Sequence, residues 1–389
     1  MKERFRSLKA RQVDNGLLKM IIGAKFSLAM ISLVILCASA IAQENTAGYW
    51  LKEGHELYTN DSFEQAAQAY DKAIQIDPKN ASAWLGKGDS LKAINKDDEA
   101  LTALNKTLDL DPRNADAWMS KSYIFSNMGK VKESGKAYEM AVQLYDEKLK
   151  TDPHDIDAWL KKGKALDMLA VVVYGAEDIE NLTKTFEDAL QAYDKALEID
   201  PKNSKAWIAK GFGLDAMAPI NHSKYNESIL AYNKAIELDP QNVGALVGKS
   251  NVLISLAART KNDSLYEIAE EYINSALEID PRNPWTWGAK GSLLVSQNKY
   301  DEALNAYDKA LELNPQDKSI WLVKGQILAN NMGRFSESIE AYDRFLQIDP
   351  NVAYAWKAKG DALKALDHSS EADAAYAKAK ALGYKELNG

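Results

Sequence analysis

Residues 192–211 read AYDKALEIDPKNSKAWIAKG, and edited copies return as AYDKAIQIDPKNASAWLGKG at 69–88, AYNKAIELDPQNVGALVGKS at 231–250 and AYDKALELNPQDKSIWLVKG at 306–325. Aligned on their Trp and Gly, the copies define nine repeats that begin at Ala47, Ala81, Ala115, Ile156, Ser204, Val243, Pro284, Lys318 and Ala353. They occupy 47–384, after a short linker at 43–46 and before a tail at 385–389, and leave no room for another domain.

Counting from one within a repeat, Trp stands at position 4 in all repeats but the sixth, which has Leu246. Position 8 is Gly except at Ser122 and Ser250, position 24 is usually Tyr, and positions 20 and 27 are mostly small. Positions 4, 8 and 11 share one stripe of a first helix, and 20, 24 and 27 one stripe of a second, as the 3.6-residue period requires. A glycine inside a helix costs roughly 1 kcal/mol relative to alanine, so its return at one position calls for close packing. The expectation is that the second helix approaches there through its small residues at 20 or 27. Pro at position 32, as in Pro78, Pro201 and Pro315, stops the second helix. Asn80, Asn203 and Asp317, two residues later, are N-caps for the next first helix. One such hairpin cannot bury its apolar stripe alone, so repeats must cover each other, with the Trp expected to be hidden in that contact.

Trp at 4, Gly at 8, Tyr at 24, small residues at 20 and 27 and Pro at 32, on a 34-residue period, resemble the tetratricopeptide repeat (TPR) family. The resemblance implies an all-α fold, a right-handed TPR α-solenoid or superhelix of helix-turn-helix repeats, whose concave groove holds a peptide or protein partner. It also implies that positions 2, 5, 9 and 12 of the first helix line the groove. The candidate groove residues are therefore Leu85, Met119, Tyr123, Lys164, Ile208, Phe212, Asn251, Trp285 and Tyr354. Tyr123, Phe212, Trp285 and Tyr354 suit apolar or aromatic anchors of a peptide, or contact with the adjacent helix. The family's clamp for an EEVD-type C-terminus needs Lys and Asn in set places across three successive repeats, and no triplet here supplies it.

Repeats 3 to 6 carry insertions of seven, fourteen, five and seven residues, and repeat 8 carries one. Seven residues approximate two helical turns, so an insertion can lengthen a helix and keep its faces in register. In repeat 4 the segment LDMLAVVVYGAEDIENLTKTFEDAL can extend both helices. Such insertions mark a binding face or are tolerated drift. Sequons at Asn181, Asn221, Asn226 and Asn262 fall in them, and are possible N-glycosylation sites if the chain is exported to a glycosylating compartment.

Ahead of the repeats, residues 1–42 hold seven Lys/Arg against Glu3 and Asp14, which leaves the rest of the chain at a net charge of −13. A body so acidic repels nucleic acid and anionic lipid. The uncharged run FSLAMISLVILCASAIAQ at 26–43 ends in Ala40-Ile41-Ala42, a pattern expected of an export signal cut after Ala42. An uncut N-terminal anchor is the alternative, since eighteen uncharged residues reach the lower edge of a membrane span. Either reading places the repeats outside the cytoplasm, at the cell surface or in the envelope.

Catalytic signals are weak. GALVGKS at 244–250 has three residues between its glycines where a phosphate loop needs four, and no strand precedes it. His55, His154, His222 and His368 stand far apart, and Cys37 is the only cysteine. DPHDID at 152–157 lacks the Gly and Glu of a calcium loop. The expected function is non-catalytic scaffolding of an unknown protein or peptide partner, with no cofactor, no metal and no nucleic acid. Alternatives are a membrane-anchored adaptor that recruits a soluble partner and, remotely, an enzyme with a site in the insertions of repeats 4 to 6.

Overall fold

The computed structural model describes residues 46–174 and 178–384; residues 1–42, expected to be an export signal or anchor, most of the linker and the tail 385–389 lie outside the described residues. The described residues form eighteen α-helices and no strand, so the fold is all-α, with two helices per repeat. The first helices are α1 (Ala47–Thr59), α3 (Ala81–Ala93), α5 (Ala115–Asn127), α7 (Ile156–Leu169), α9 (Ser204–Met217), α11 (Val243–Thr260), α13 (Pro284–Ser296), α15 (Lys318–Gln326) and α17 (Ala353–Ala365). The second helices are α2 (Phe63–Ile76), α4 (Asp97–Leu110), α6 (Val131–Thr151), α8 (Ile179–Ile199), α10 (Lys224–Leu238), α12 (Ser264–Ile279), α14 (Tyr300–Leu313), α16 (Phe335–Ile348) and α18 (Ser369–Ala381). They gather into two compact bodies, one ending at Ser120 and one beginning at Lys121.

Most repeat boundaries are built the same way, the last being an exception with Val352 and no side-chain cap. The Asn80 carboxamide oxygen accepts the Ala83 amide at 3.1 Å, Asn203 does the same for Ala206 at 3.0 Å, and Asp155 for Ala158 at 2.9 Å. These bonds satisfy one of the amides that a helix start leaves without an intrahelical partner. The tryptophans occupy the boundary differently from the expectation. Their indoles are half-buried, and from the second repeat on each donates its Nε1–H to the carbonyl of the boundary proline six residues before, as Trp159 does to Pro153, Trp207 to Pro201 and Trp321 to Pro315, all three at 2.9 Å. The indole ties a turn to a helix while its outer edge meets solvent, as suits a ring with a polar handle.

The deepest large side chains are instead the position-24 tyrosines, with Tyr138, Tyr193 and Tyr342 each about 1% exposed. They correct the reading of the glycines. A Cβ on Gly291 would lie 2.5 Å from the Tyr307 ring, one on Gly325 2.7 Å from Tyr342 and one on Gly360 2.6 Å from Tyr376. The glycine thus makes room for the position-24 side chain, an aromatic ring except at Gly88, which faces Leu104, rather than for a small residue at position 20 or 27. Around each ring the small residues fill the remaining space: Ala196, Ala235 and Ala310, all at position 27, are fully buried.

A second periodic link pairs a lysine at position 7 with an acid on the preceding repeat's second helix. Within the first body Lys87 meets Asp71 at 2.6 Å; within the second, Lys162 meets Asp146 at 2.6 Å, Lys210 meets Asp194 at 2.5 Å and Lys324 pairs with Asp308. The same ammonium groups lie 5.3–5.7 Å from the centroids of Trp84, Trp159, Trp207 and Trp321, within reach of cation–π attraction.

The insertions lengthen helices. α6 and α8 reach 21 residues, and α7 continues through a π-helical turn at Ala170–Tyr174. The added turns pack Ala170, Leu182, Phe186 and Met217 into a core of their own. The single extra residue of repeat 8 is absorbed by a second π-helical turn, Ile327–Asn331, the local widening that one inserted residue produces in a helix.

Candidate groove of repeats 4 to 8

Within the second body the first helices of repeats 4 to 8 line one open groove of about 1100 Å³. Positions 2, 5, 6 and 9 of successive helices face it because they share one helical stripe. Tyr193, Tyr232 and Tyr307 reach it from the second helices. Its width over repeats 6 and 7 comes from residues without bulk: Gly244, Gly248 and Gly288 all line it. Gly248 is required by packing, since a Cβ there would sit 2.5 Å from the Tyr232 ring; Gly288 is not, because its Cβ would meet only Ile320 Cδ1 at 3.6 Å. Two aromatic side chains stand exposed in the groove, Phe212 at 55% and Trp285 at 71%.

The deep charge in the groove is Asp167, which is buried to 2% exposure. The Tyr193 hydroxyl donates to its Oδ2 at 2.6 Å, while Oδ1 has no hydrogen-bond partner. Burial pushes this carboxyl up to about 7, against the opposing effect of the tyrosine hydrogen bond. Burial and the neighbouring Asp167 charge raise Tyr193 far above the usual phenol range. One repeat on, burial lifts Asp215 to about 6. The exposed charge is different in sign. Asp157 is tied to Lys161 at 3.0 Å, and Asp317 accepts the amides of Ser319 and Ile320 as a helix cap. Lys164 and Lys205 line the groove, are exposed, and have no ion-pair partner among the described residues.

Of the nine groove candidates, the structure brings Lys164, Ile208, Phe212, Asn251 and Trp285 into this one groove. Leu85 and Met119 are half-buried in the first body. Tyr123 is exposed on α5 and Tyr354 on α17, where its hydroxyl accepts a hydrogen bond from Gln326 Nε2 at 3.2 Å; neither lines the groove. Asp167, Lys205 and Gly288 were missed. Their signal was available in the alignment: a glycine at position 5 where other repeats are mainly apolar, an acid at 12 and a lysine at 2.

Among the sequons, Asn221 and Asn262 sit in exposed turns, where their side-chain oxygens accept from the hydroxyls of Ser223 and Ser264 at 2.9 and 2.7 Å. Asn226 lies on the exposed face of α10, and Asn181 in the first turn of α8 donates its amide to Asp178 Oδ2 at 2.8 Å. The stretch GALVGKS forms the opening turns of α11; Lys249 Nζ donates to the Tyr272 hydroxyl at 2.5 Å and Ser250 Oγ to the Val247 carbonyl. Among the described residues no group of three or more His, Cys, Asp or Glu is placed to hold a metal ion, and no helix is long and apolar enough to cross a membrane.

Sequence models of the tetratricopeptide repeat match residues 57–122, 115–148, 222–242 and 289–353. No curated protein sequence matches the chain. Solved structures similar to it include yeast Tom70, at 14% identity and a TM-score of 0.45, covering 87% of this chain and 92% of that one. A tetratricopeptide repeat protein from Parabacteroides merdae has 15% identity and a TM-score of 0.48, with 70% and 95% covered. YrrB, described as a TPR protein with an unusual peptide-binding site, has 20% identity and a TM-score of 0.32, with 58% and 98% covered.

Proposed function

The chain is a tetratricopeptide repeat protein, built as an interaction scaffold, and from that premise we infer that the groove of repeats 4 to 8 holds a peptide segment of a protein partner. The observation that carries this reading is the exposure of Phe212 and Trp285 inside one concave surface. Large aromatic side chains left in water at a groove are the usual anchors of recognition, because covering them recovers the burial that folding did not. The scaffold works outside the cytoplasm, at the cell surface or in the envelope, and Asn221 and Asn262 are its glycan acceptors where the host glycosylates. The basic stretch, apolar run and Ala40-Ile41-Ala42 pattern support export. If the leader stays uncut, the same groove serves a membrane-anchored adaptor.

A photo-crosslinking residue at Asn251, introduced in the native host, tests the groove. One partner band is expected, and it should fall at least tenfold with Phe212→Ala or Trp285→Ala. A band unchanged by both substitutions overturns the assignment. Mass spectrometry of the native N-terminus separates the two placements: a start at Gln43 supports export with cleavage, an intact leader in the membrane fraction supports the anchor, and an intact leader in the soluble cytosol overturns both.

A further inference from the structure

The groove has a polarity along its length. Its repeat 4 and 5 end carries Lys164 and Lys205, both exposed and both without an ion-pair partner among the described residues. Of the carboxylates at this end, Asp157 is paired with Lys161 and Asp167 is buried beneath the surface, while Asp317 stands at the repeat 8 end. A chain with net charge −8 therefore offers cations at this end of its groove. Toward repeats 5 to 7 the lining turns apolar, with Phe212 on α9 and Trp285 on α13 flanking α11. Between them α11 contributes Gly244 and Gly248, and Gly288 adds a further gap.

Gly288 is the informative residue. A glycine inside a helix is unfavourable and is kept where something else needs the space. Its absent side chain would touch nothing closer than 3.6 Å, so the fold does not need that space. A side chain at this position would instead project into the groove beside Trp285, one helical turn away.

We propose that the groove takes an acidic, aromatically anchored segment of a partner protein: a large apolar or aromatic side chain seated over Gly244 and Gly288 between Phe212 and Trp285, and side-chain carboxylates facing Lys164 and Lys205. The inference rests on the groove being a peptide site and names the class of peptide. Five first helices at spacings of roughly 8–10 Å span about 40 Å, which an extended chain crosses in about twelve residues. Lys164 at position 9 and Lys205 at position 2 differ by about 10 Å in height along their helices as well as by one helix spacing. Two cations so separated face two points of an extended chain, which calls for two side-chain carboxylates rather than one chain terminus.

The test is selection from a random twelve-residue peptide library, C-terminally amidated, on the immobilised full chain, with sequencing of the retained pool. Retained peptides should be enriched about tenfold in sequences that combine Asp or Glu with Phe, Trp, Leu or Met, on the scale of two exposed ion pairs. Lys164→Glu with Lys205→Glu should turn the charge preference toward Lys and Arg and leave the apolar preference. Gly288→Leu should remove the apolar preference, and should melt no lower than wild type because it replaces a helical glycine. A retained pool without acidic enrichment, or one whose enrichment ignores the lysine substitutions, overturns this inference and leaves the groove a peptide site. Retention that requires a free carboxyl terminus overturns the side-chain source. A library from which nothing is retained overturns the peptide site itself.

Discussion

Asp167 and Tyr193 show how a repeat position becomes individual. Tyr193 occupies the common place at position 24, and its hydroxyl donates at 2.6 Å to the Asp167 carboxyl, which burial raises to about 7. An Asp in the unfolded chain releases its proton near 3.9, so between about pH 4 and pH 7 the folded state binds the proton that the unfolded state has lost. Stability from this site is therefore greatest at low pH, falls as pH rises through that window and is level above it. Asp167→Asn removes the effect. Urea titrations should show the variant gaining about 2–3 kcal/mol on wild type between pH 5 and pH 8. At the same scale the two kinds of helical glycine separate. Gly291→Ala forces a methyl into the Tyr307 ring, itself 4% exposed, and should cost about 1–3 kcal/mol. Gly288→Ala, whose methyl would make only an ordinary contact with Ile320 Cδ1 at 3.6 Å, should instead add about 0.5–1 kcal/mol in the same titration.

At the scale of elements, the turn between the two helices has one left-handed residue in repeats 1 to 3 and 6 to 9. Asp61, Asn95, Gly129, Asn298, Gly333 and Asp367 hold it at φ of 56–70°. These residue types tolerate that conformation, whereas other side chains crowd the following carbonyl. In repeat 6 the place falls to Lys261, at φ 55°. Lys261→Gly should relieve the strain and raise stability by about 1 kcal/mol, measured by thermal or urea unfolding. A loss of stability would mean that the lysine side chain contributes more at this turn than its backbone costs. The turns were legible from composition as breaks between helices. The π-helical turn at Ile327–Asn331 was not, because a one-residue excess in a repeat can be housed in a loop as easily as in a helix.

For the whole chain, repetition means that each hairpin is stabilised chiefly by its neighbours, so stability is distributed along the array rather than centred in one core. Native-state hydrogen exchange should find the backbone amides of α7 to α14 most protected and those of α17 and α18, which have a described repeat on one side, least protected within the second body. Uniform protection across α7 to α18 would show a single cooperative core instead. The acidic balance was legible in the composition, but its distribution was not. Lys162, Lys210 and Lys324 are consumed in boundary ion pairs, while Lys164 and Lys205 are left over in the groove.

By itself the sequence determined the helices, their boundaries and the repeat, because capping residues, proline stops and a 3.6-residue stripe act within a few positions of one another. It also offered Phe212 and Trp285, through the positions that the tetratricopeptide resemblance assigns to the groove. Only the tertiary structure decided that tyrosine rather than tryptophan fills the core, that the glycines yield to its ring, and that Asp167 loses its water. Those outcomes depend on which side chains meet across helices many residues apart, and burial, steric fit and desolvation exist only once the helices have met.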